Sequence, residues 1–496
     1  MLRIFWDDSD ISIGGIKMEA NARLLKGKPS YYINCAVVVL IMLFFRLLPP
    51  FGSITEVGMG CLGIFIGAIY GWLTVGMLWP SLFGLVAYGL TGYVTVDEAM
   101  IQGFGSNNVL VLIMVFGLLG IMETSGLAHW LAMKIVTSPI AAGRPWVLAF
   151  LLLFASYIIV ALTCSFGSAM LIWVIFYSIV DTNKIVKGKY TSFIIASIIA
   201  TAILGGQLFP FAVPVVLLTG AFSGVAGAEA VPGFVPYVVW MFVTSMIIMV
   251  LWLVVSKFVY RIKPPEINLD SLKKPEPLTS YQKITLTVLS LFIVGLVLAG
   301  VLPDNWMLTI ALNALSVKGL AALIIAVLIL LNFAQGRSFN DYMKSANWEI
   351  LVVMALITIL SNSLSDETTG ILATVTSILD PVFSGKGMIV FLILITLIPL
   401  IITNVLNNLV VGMIFIPISY NFAVQMGFDP TVLFVVLVQL TSIAPSMPSG
   451  CAPAAMLYGN TEWITGREAL KYGVGFCVVS WVVITLIGIP FGMVLF

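Results

Sequence analysis

Apolar runs of helical length, separated by short polar breaks, fill most of the chain. About 20 apolar residues suffice to cross a hydrocarbon core. On that measure the pattern predicts eleven spans, at about 33–48, 57–72, 75–93, 109–124, 192–218, 235–260, 284–301, 319–333, 349–364, 431–457 and 470–496. Residues 95–104 (TVDEAMIQGF) predict a short amphipathic helix lying on the surface. Two stretches behave differently. In Pro399–Ile418, PLIITNVLNNLVVGMIFIPI, an apolar arm meets Thr403, Asn404, Asn407 and Asn408 and leaves as a second apolar arm. Neither arm is a comfortable span, so the pattern predicts a re-entrant hairpin over about 388–424. A tip inside the bilayer is tolerable only where it is buried in protein or lines a cavity.

A weaker copy lies 239 residues upstream, in Val160–Ile179, and predicts a first hairpin at about 145–180. At that offset Ser165 falls on Asn404, Ser168 on Asn407, Ala169 on Asn408, Pro214 on Pro453 and Gly220 on Gly459. Nearby offsets relate Ser125-Gly126 to Thr369-Gly370. Matches kept in order over roughly 120 residues argue for a duplicated unit. The chain then divides into an N-terminal arm (1–30), an extra first span (31–56), a first repeat (57–260), a Pro- and Lys-rich linker (261–282) and a second repeat (283–496). Five spans per repeat is an odd number, so the second unit sits upside down, as in secondary transporters.

Composition sharpens this picture. Of 496 residues, 60% are hydrophobic and 9% charged, and the mean hydropathy of +1.12 describes an all-α polytopic membrane protein rather than a string of soluble domains. A net charge of +1 without a long basic run gives no reason to expect a nucleic-acid partner. The five cysteines have no metal-type spacing, His129 is the one histidine, and no catalytic motif occurs, so neither an enzyme nor a metal site is expected. With the N-terminus in the cytoplasm, all but Arg46, Lys318 and Lys386 of the 23 Lys and Arg residues fall on the cytoplasmic side, the pattern of a multi-pass plasma (inner) membrane protein.

Candidate chemistry gathers at the two tips and at two interrupted spans, Gly205–Pro214 (GGQLFPFAVP) and Ala444–Pro453 (APSMPSGCAP). Half-helix N-termini favour anions and freed carbonyls favour cations. From 145 to 180, 192 to 228, 387 to 428 and 430 to 461 there is no Asp, Glu, Lys, Arg or His. An anion must therefore be held by amides, hydroxyls and helix ends. The alternative is that these Asn and Ser residues only cross-link helices. Glu123 lies in a span, where an acid can serve as a proton site, but its place just before the break at Gly126 assigns it to the interface.

The order of features resembles the divalent anion–sodium symporter family of the ion transporter superfamily, from about Leu48 to the C-terminus. The likeness rests on GIFIGAIYGWLTVGMLWPSLFGLVAYGLTGYVTVDEAM (Gly63–Met100), the turns Ser125-Gly126-Leu127 and Thr369-Gly370-Ile371, the two hairpins, and the Pro-rich break ending at Leu457-Tyr458-Gly459. It implies a homodimer, a static scaffold, and an elevator-like transport domain built from the hairpins with spans five and ten. The family's Ser-Asn-Thr tips are here Ser168-Ala169-Met170 and Asn407-Asn408-Leu409. Its Thr-Pro-Pro-Asn-like break is Cys451-Ala452-Pro453-Ala454, and its polar Thr positions in span five are Phe209 and Val213.

These readings converge on a secondary active transporter of a small organic anion, a carboxylate or dicarboxylate, of elevator type and either sodium-coupled or exchanging. Substrate contacts are expected from Ser168, Asn407, Asn408, Ser449 and Pro453. Ion contacts are expected from Ser165, Ser168, Gly205, Thr403, Asn404 and Asn408. No cofactor is expected beyond Na+ as a coupling ion, and the partners are the anion, membrane lipids and a second copy. The alternatives are a permease component or an ion/proton antiporter of another ion-transporter branch; an intramembrane enzyme lacks its catalytic groups.

Overall fold

The computed structural model describes residues 29–164, 166–268, 275–332, 340, 343, 347–383 and 387–496. Ser165, Lys386, most of the N-terminal arm and the centre of the linker therefore lie outside the described residues. Among the described residues the protein is helical, with no strand. Several helices begin where a polar break supplies a capping side chain. Thr55 accepts from the Gly58 amide to start α2 (Glu56–Thr74), after α1 (Pro29–Phe44). The short α3 (Leu78–Tyr88) follows. Thr95 and Glu98 form a reciprocal capping box at α4 (Val96–Phe104). α4 is the amphipathic helix the sequence predicts, and the chain bends by 45° into α5 (Asn107–Ser125).

Gly126 (φ 70°) and Gly370 (φ 66°) both adopt the left-handed conformation that glycine tolerates. Gly126 ends α5 before α6 (Leu127–Val136). The first hairpin is α7 (Pro145–Thr163) and α8 (Ala169–Thr182). Span five is broken into α9 (Lys189–Gly205) and α10 (Val213–Ala226), and α11 (Phe234–Phe258) closes the first half. The second half runs α12 (Ser280–Val301), α13 (Met307–Asn332), α14 (Trp348–Ser365) and, beyond Gly370, α15 (Ile371–Phe383). The second hairpin follows as α16 (Met388–Thr403) and α17 (Asn408–Gln425). Span ten is α18 (Pro430–Ser442) and α19 (Ala452–Gly459). α20 (Gly466–Val483) continues through a π-helical turn, Ile484–Gly488, into α21 (Ile489–Leu495).

Two spans differ from the sequence reading. The stretch expected at 75–93 contains only the eleven-residue α3, because GLTGYVT after Tyr88 turns the chain, with Gly92 at φ 84°. Helix α13 begins twelve residues before the predicted Gly319 (307 against 319) and is kinked at Ser316 (φ 55°, ψ −178°). Nine described helices are long and apolar enough to cross a membrane, or ten if α4 and α5 count as one bent span; the hairpin arms α7 and α17 are among them, longer than the sequence reading expected of an arm.

Burial orders the elements from centre to edge. Every residue from Tyr190 to Gly205 in α9, and from Val432 to Ser442 in α18, is buried. A helix that is apolar all round belongs in the middle of a bundle. By contrast only 11% of the most apolar window of α1, 28% of α12 and 22% of α13 is buried, so these stand at the periphery. The halves are tied by backbone contacts: the Thr55 amide donates to the Thr369 carbonyl at 3.0 Å, and a Cβ on Gly370 would meet the Ser53 carbonyl at 1.8 Å.

Candidate functional site

The second hairpin turns at Thr403–Asn407 against the break between α18 and α19. Thr403 and Asn404 face that break, which runs through 443–451. The Thr403 hydroxyl donates to the Thr441 carbonyl. The Asn404 amide donates to the carbonyls of Leu400 (2.8 Å) and Ile443 (3.2 Å), while its oxygen accepts from the Ser446 backbone N–H at 3.0 Å. A broken helix leaves backbone groups unpaired, and one buried amide here answers a donor and an acceptor of the same break. Both residues are buried. Gly450 completes the joint: its carbonyl accepts from the Asn408 N–H at 3.3 Å, and a Cβ there would meet the Thr403 carbonyl at 3.0 Å.

Asn407 and Asn408 are used differently. Their side-chain oxygens converge on one backbone donor, the Leu409 N–H, at 3.0 and 2.9 Å. Both oxygens thus sit on the start of α17, and the NH2 group of each amide is left over. Neither NH2 group has a protein partner among the described residues, and both side chains are partly exposed. Four N–H bonds at the positive end of an 18-residue helix suit an acceptor such as a carboxylate.

The first tip has other chemistry. Thr163 ends α7, Cys164 takes a left-handed conformation (φ 49°), and a 3-10 turn, Phe166–Ser168, leads into α8. The Phe166 ring lies on Gly206, where a Cβ would stand 2.8 Å from it. Gly205 permits an even closer approach: a Cβ there would meet the Tyr157 carbonyl oxygen at 2.1 Å, so α9 runs against the backbone of α7. Its own carbonyl accepts from the Leu208 N–H at 3.1 Å. Ser168 is buried and its hydroxyl does not cap α8.

The structure thus joins Thr403, Asn404 and Asn408 with the second break, and sets Gly205 and Gly206 against the first hairpin. Helix α19 connects the two places, since it contacts both α9 and the Phe166–Ser168 turn. Pro453 is buried at the second position of α19, where the missing N–H costs nothing. Pro214 holds the same position in α10. Ser449 is exposed on the break. The sequence reading passed over three residues. Cys477 of α20 lies 3.5 Å from the Asn404 amide and 3.4 Å from the Ser446 hydroxyl. The Tyr458 hydroxyl donates to the Ser446 carbonyl at 2.6 Å. Gln207 is buried in the first break, with its side-chain oxygen unpaired. The 239-residue offset that pairs Pro214 with Pro453 also pairs Gln207 with Ser446, a signal that could have found it. Among the described residues no group of three His, Cys, Asp or Glu could hold a metal.

Comparison with known proteins agrees with this architecture. None of the curated protein sequences matches significantly. A solved structure of the YdaH transporter of Alcanivorax borkumensis superposes with a TM-score of 0.58 at 14% identity, covering 80% of this chain and 87% of that one, and so shares the fold. The family model described as citrate transporter matches residues 62–439, most of the length, and the two together identify the chain as a multi-pass membrane carrier of the ion transporter superfamily. The chain belongs to the citrate transporter family.

Proposed function

We propose that the protein is a secondary active transporter of a small organic carboxylate, of the citrate or dicarboxylate type, that grips its substrate with the free amide groups of Asn407 and Asn408. The observation that carries this reading is the orientation of those amides. Their oxygens are engaged by the Leu409 N–H, so what remains toward a ligand is a set of donors. Donors bind carboxylate oxygens by charge-assisted hydrogen bonds, and the start of α17 adds to the attraction. On this reading Asn408 serves the anion. Ser449 lines the entrance on the second break, and Pro453 shapes α19.

A coupling cation would draw on oxygens at the first tip and its break, Ser168 and the Gly205 carbonyl, Thr403 and Asn404 being engaged in the joint with the second break. From 145 to 180, 192 to 228, 387 to 428 and 430 to 461 no Asp, Glu, Lys, Arg or His is present to carry a proton, and Asp181 lies at the far end of α8 from the tip. That composition suits sodium symport or substrate exchange and offers no protein group as a proton carrier there. The hairpins with the two broken spans would form the body that moves, in a homodimer of the inner membrane with a cytoplasmic N-terminus. The recurrence of a left-handed glycine, a hairpin and a Pro-started half-helix in both halves supports two inverted repeats of 57–260 and 283–496.

Purified protein alone in liposomes tests this. Labelled citrate and succinate are offered under an imposed sodium gradient, an imposed pH gradient, or with unlabelled substrate inside. Accumulation driven by sodium, or stimulated by internal substrate, is the expected result. Accumulation driven only by the pH gradient, with the substrate's own ionisation controlled for, would overturn the coupling argument. No uptake without an added binding protein would favour a permease component.

A further inference from the structure

A groove of about 1010 Å³ lies between the end of α11 and nearly the full length of α20, and no residue of either hairpin lines it. Its floor is aliphatic: Val255 and Val259 on one wall, Val474, Val478 and Val482 on the other. Val259, Val474 and Val478 are exposed. One end is built from charge and an aromatic ring. Arg467 and Lys471 stand there, with the Lys471 ammonium 5.1 Å from the centre of the Tyr260 ring. Gly475 makes that end possible, because a Cβ would meet the Tyr260 hydroxyl at 2.1 Å.

The dimensions match one leaflet of a bilayer. From Lys471 to Val482 a helix rises roughly 16 Å at 1.5 Å per residue, against about 15 Å for half of a hydrocarbon core. Cations therefore sit at headgroup depth and valines along acyl depth. Charge complementarity selects the headgroup. Neither Arg467 nor Lys471 lies within ion-pair distance of a carboxylate among the described residues. The acid in the lining, Glu468, is held against the start of α20, accepting from the Thr465 N–H (3.0 Å) and hydroxyl (2.8 Å), and is near enough to Lys471 for the two charges to attract, which leaves one net positive charge at this end. The same end of the bundle is basic beyond the groove. The Tyr472 hydroxyl donates to the carbonyl of Lys189, and Lys257 and Arg261 follow at the end of α11.

We propose that this groove is a binding site for one anionic phospholipid, its phosphate between Arg467 and Lys471 and an acyl chain along Val474, Val478 and Val482. Full-length protein is titrated with phosphatidylglycerol or phosphatidylcholine and the lipids retained per chain are counted by native mass spectrometry. One phosphatidylglycerol should be retained in clear preference to phosphatidylcholine. Each cation removed, in R467Q, K471Q and the double variant, should weaken that retention about five-fold. Val478→Trp fills the groove while keeping both charges, and should abolish retention; a generic basic surface would not respond. Size-exclusion profiles and melting curves identify variants that fail to fold, and R467Q, fully on the surface, remains informative if Val478→Trp is lost. Equal retention of the two lipids, or unchanged retention in the charge variants, would overturn the proposal. So would disulfide formation between two copies of V478C, which would put protein over the groove.

Discussion

The two hairpin tips occupy corresponding places in the two halves and do different things. At the second tip four polar side chains divide the labour. Thr403 and Asn404 are buried cross-links to the break at 443–451, and Asn407 and Asn408 cap α17 and keep four N–H bonds free. At the first tip an aromatic ring lies on Gly206, glycine brings α9 onto the backbone of α7, and Ser168 leaves α8 uncapped. The same architecture is joined at one end by polar bonds and at the other by close packing. The difference teaches that two similar hairpins need not carry the same chemistry: free N–H donors are concentrated at the second tip, where the proposed anion site lies.

The strongest way to break this comparison is to invert the chemistry at the second tip without disturbing its cap. Asp is as good a helix N-cap as Asn. Asn407→Asp and Asn408→Asp therefore keep the oxygen that the Leu409 N–H needs, but replace the NH2 donors with negative charge. Losing charge-assisted bonds of ~1.5–3 kcal/mol predicts at least a ten- to hundred-fold fall in uptake efficiency, with repulsion added. Asn→Ala at either site should be milder in uptake and costlier in stability, since the cap is lost as well. Uptake near the parent rate in both Asp variants, with folded protein, would show that the amides serve only the helix.

Packing at the first tip makes the next prediction. Gly205→Ala sets a Cβ 2.1 Å from the Tyr157 carbonyl, a backbone atom that cannot swing aside. Overpacking of this kind costs typically ~1–3 kcal/mol, and the melting temperature should fall. Asn404→Ala tests the polar joint. It strands the Ser446 N–H and the Ile443 carbonyl, at ~1–3 kcal/mol for buried groups left unpaired. Uptake should fall with stability, and substrate KM should change little. A variant that melts normally but loses affinity for substrate would move Asn404 from the joint to the binding surface.

Much of the fold was legible because its signals are local. The hairpins, expected at 145–180 and 388–424, run over 145–182 and 388–425, since an apolar–polar–apolar run allows few alternatives. The breaks in spans five and ten follow from Gly and Pro. What was lost depends on neighbours distant in sequence. That the Asn404 oxygen faces Ser446, and that Cys477 lies beside both, is decided by how α20 packs on the second break. Asn404 and Asn407 look alike in a polar tip, yet one is buried and the other partly exposed. The shortness of α3 and the early start of α13 were missed because composition misleads at both: Leu90, Tyr93 and Val94 carry an apolar run through the turn after α3, while Asn313, Ser316 and Lys318 interrupt one inside α13.

The smallest effect belongs to Ser168, and it decides what the first tip is for. A single hydroxyl bond contributes ~0.5–1.5 kcal/mol net, so Ser168→Ala should change uptake by less than about ten-fold whichever ligand it touches. The informative quantity is which parameter moves. If the first tip takes part in substrate binding, the variant raises KM for the anion and leaves the sodium dependence alone. If its oxygens serve a cation, half-saturation by sodium rises while KM at saturating sodium stays near the parent value. The second outcome is expected, because the Ser168 hydroxyl, which does not cap α8, and the buried Gln207 oxygen, which has no partner in the first break, are acceptors, where the second tip offers donors. Phe166→Ala provides the control. It removes the ring from Gly206 without touching an oxygen, and should lower the melting temperature while leaving the sodium dependence unchanged. A shift in KM for the anion in Ser168→Ala, with the sodium dependence unmoved, would make the two tips partners in one anion site and end the division between them.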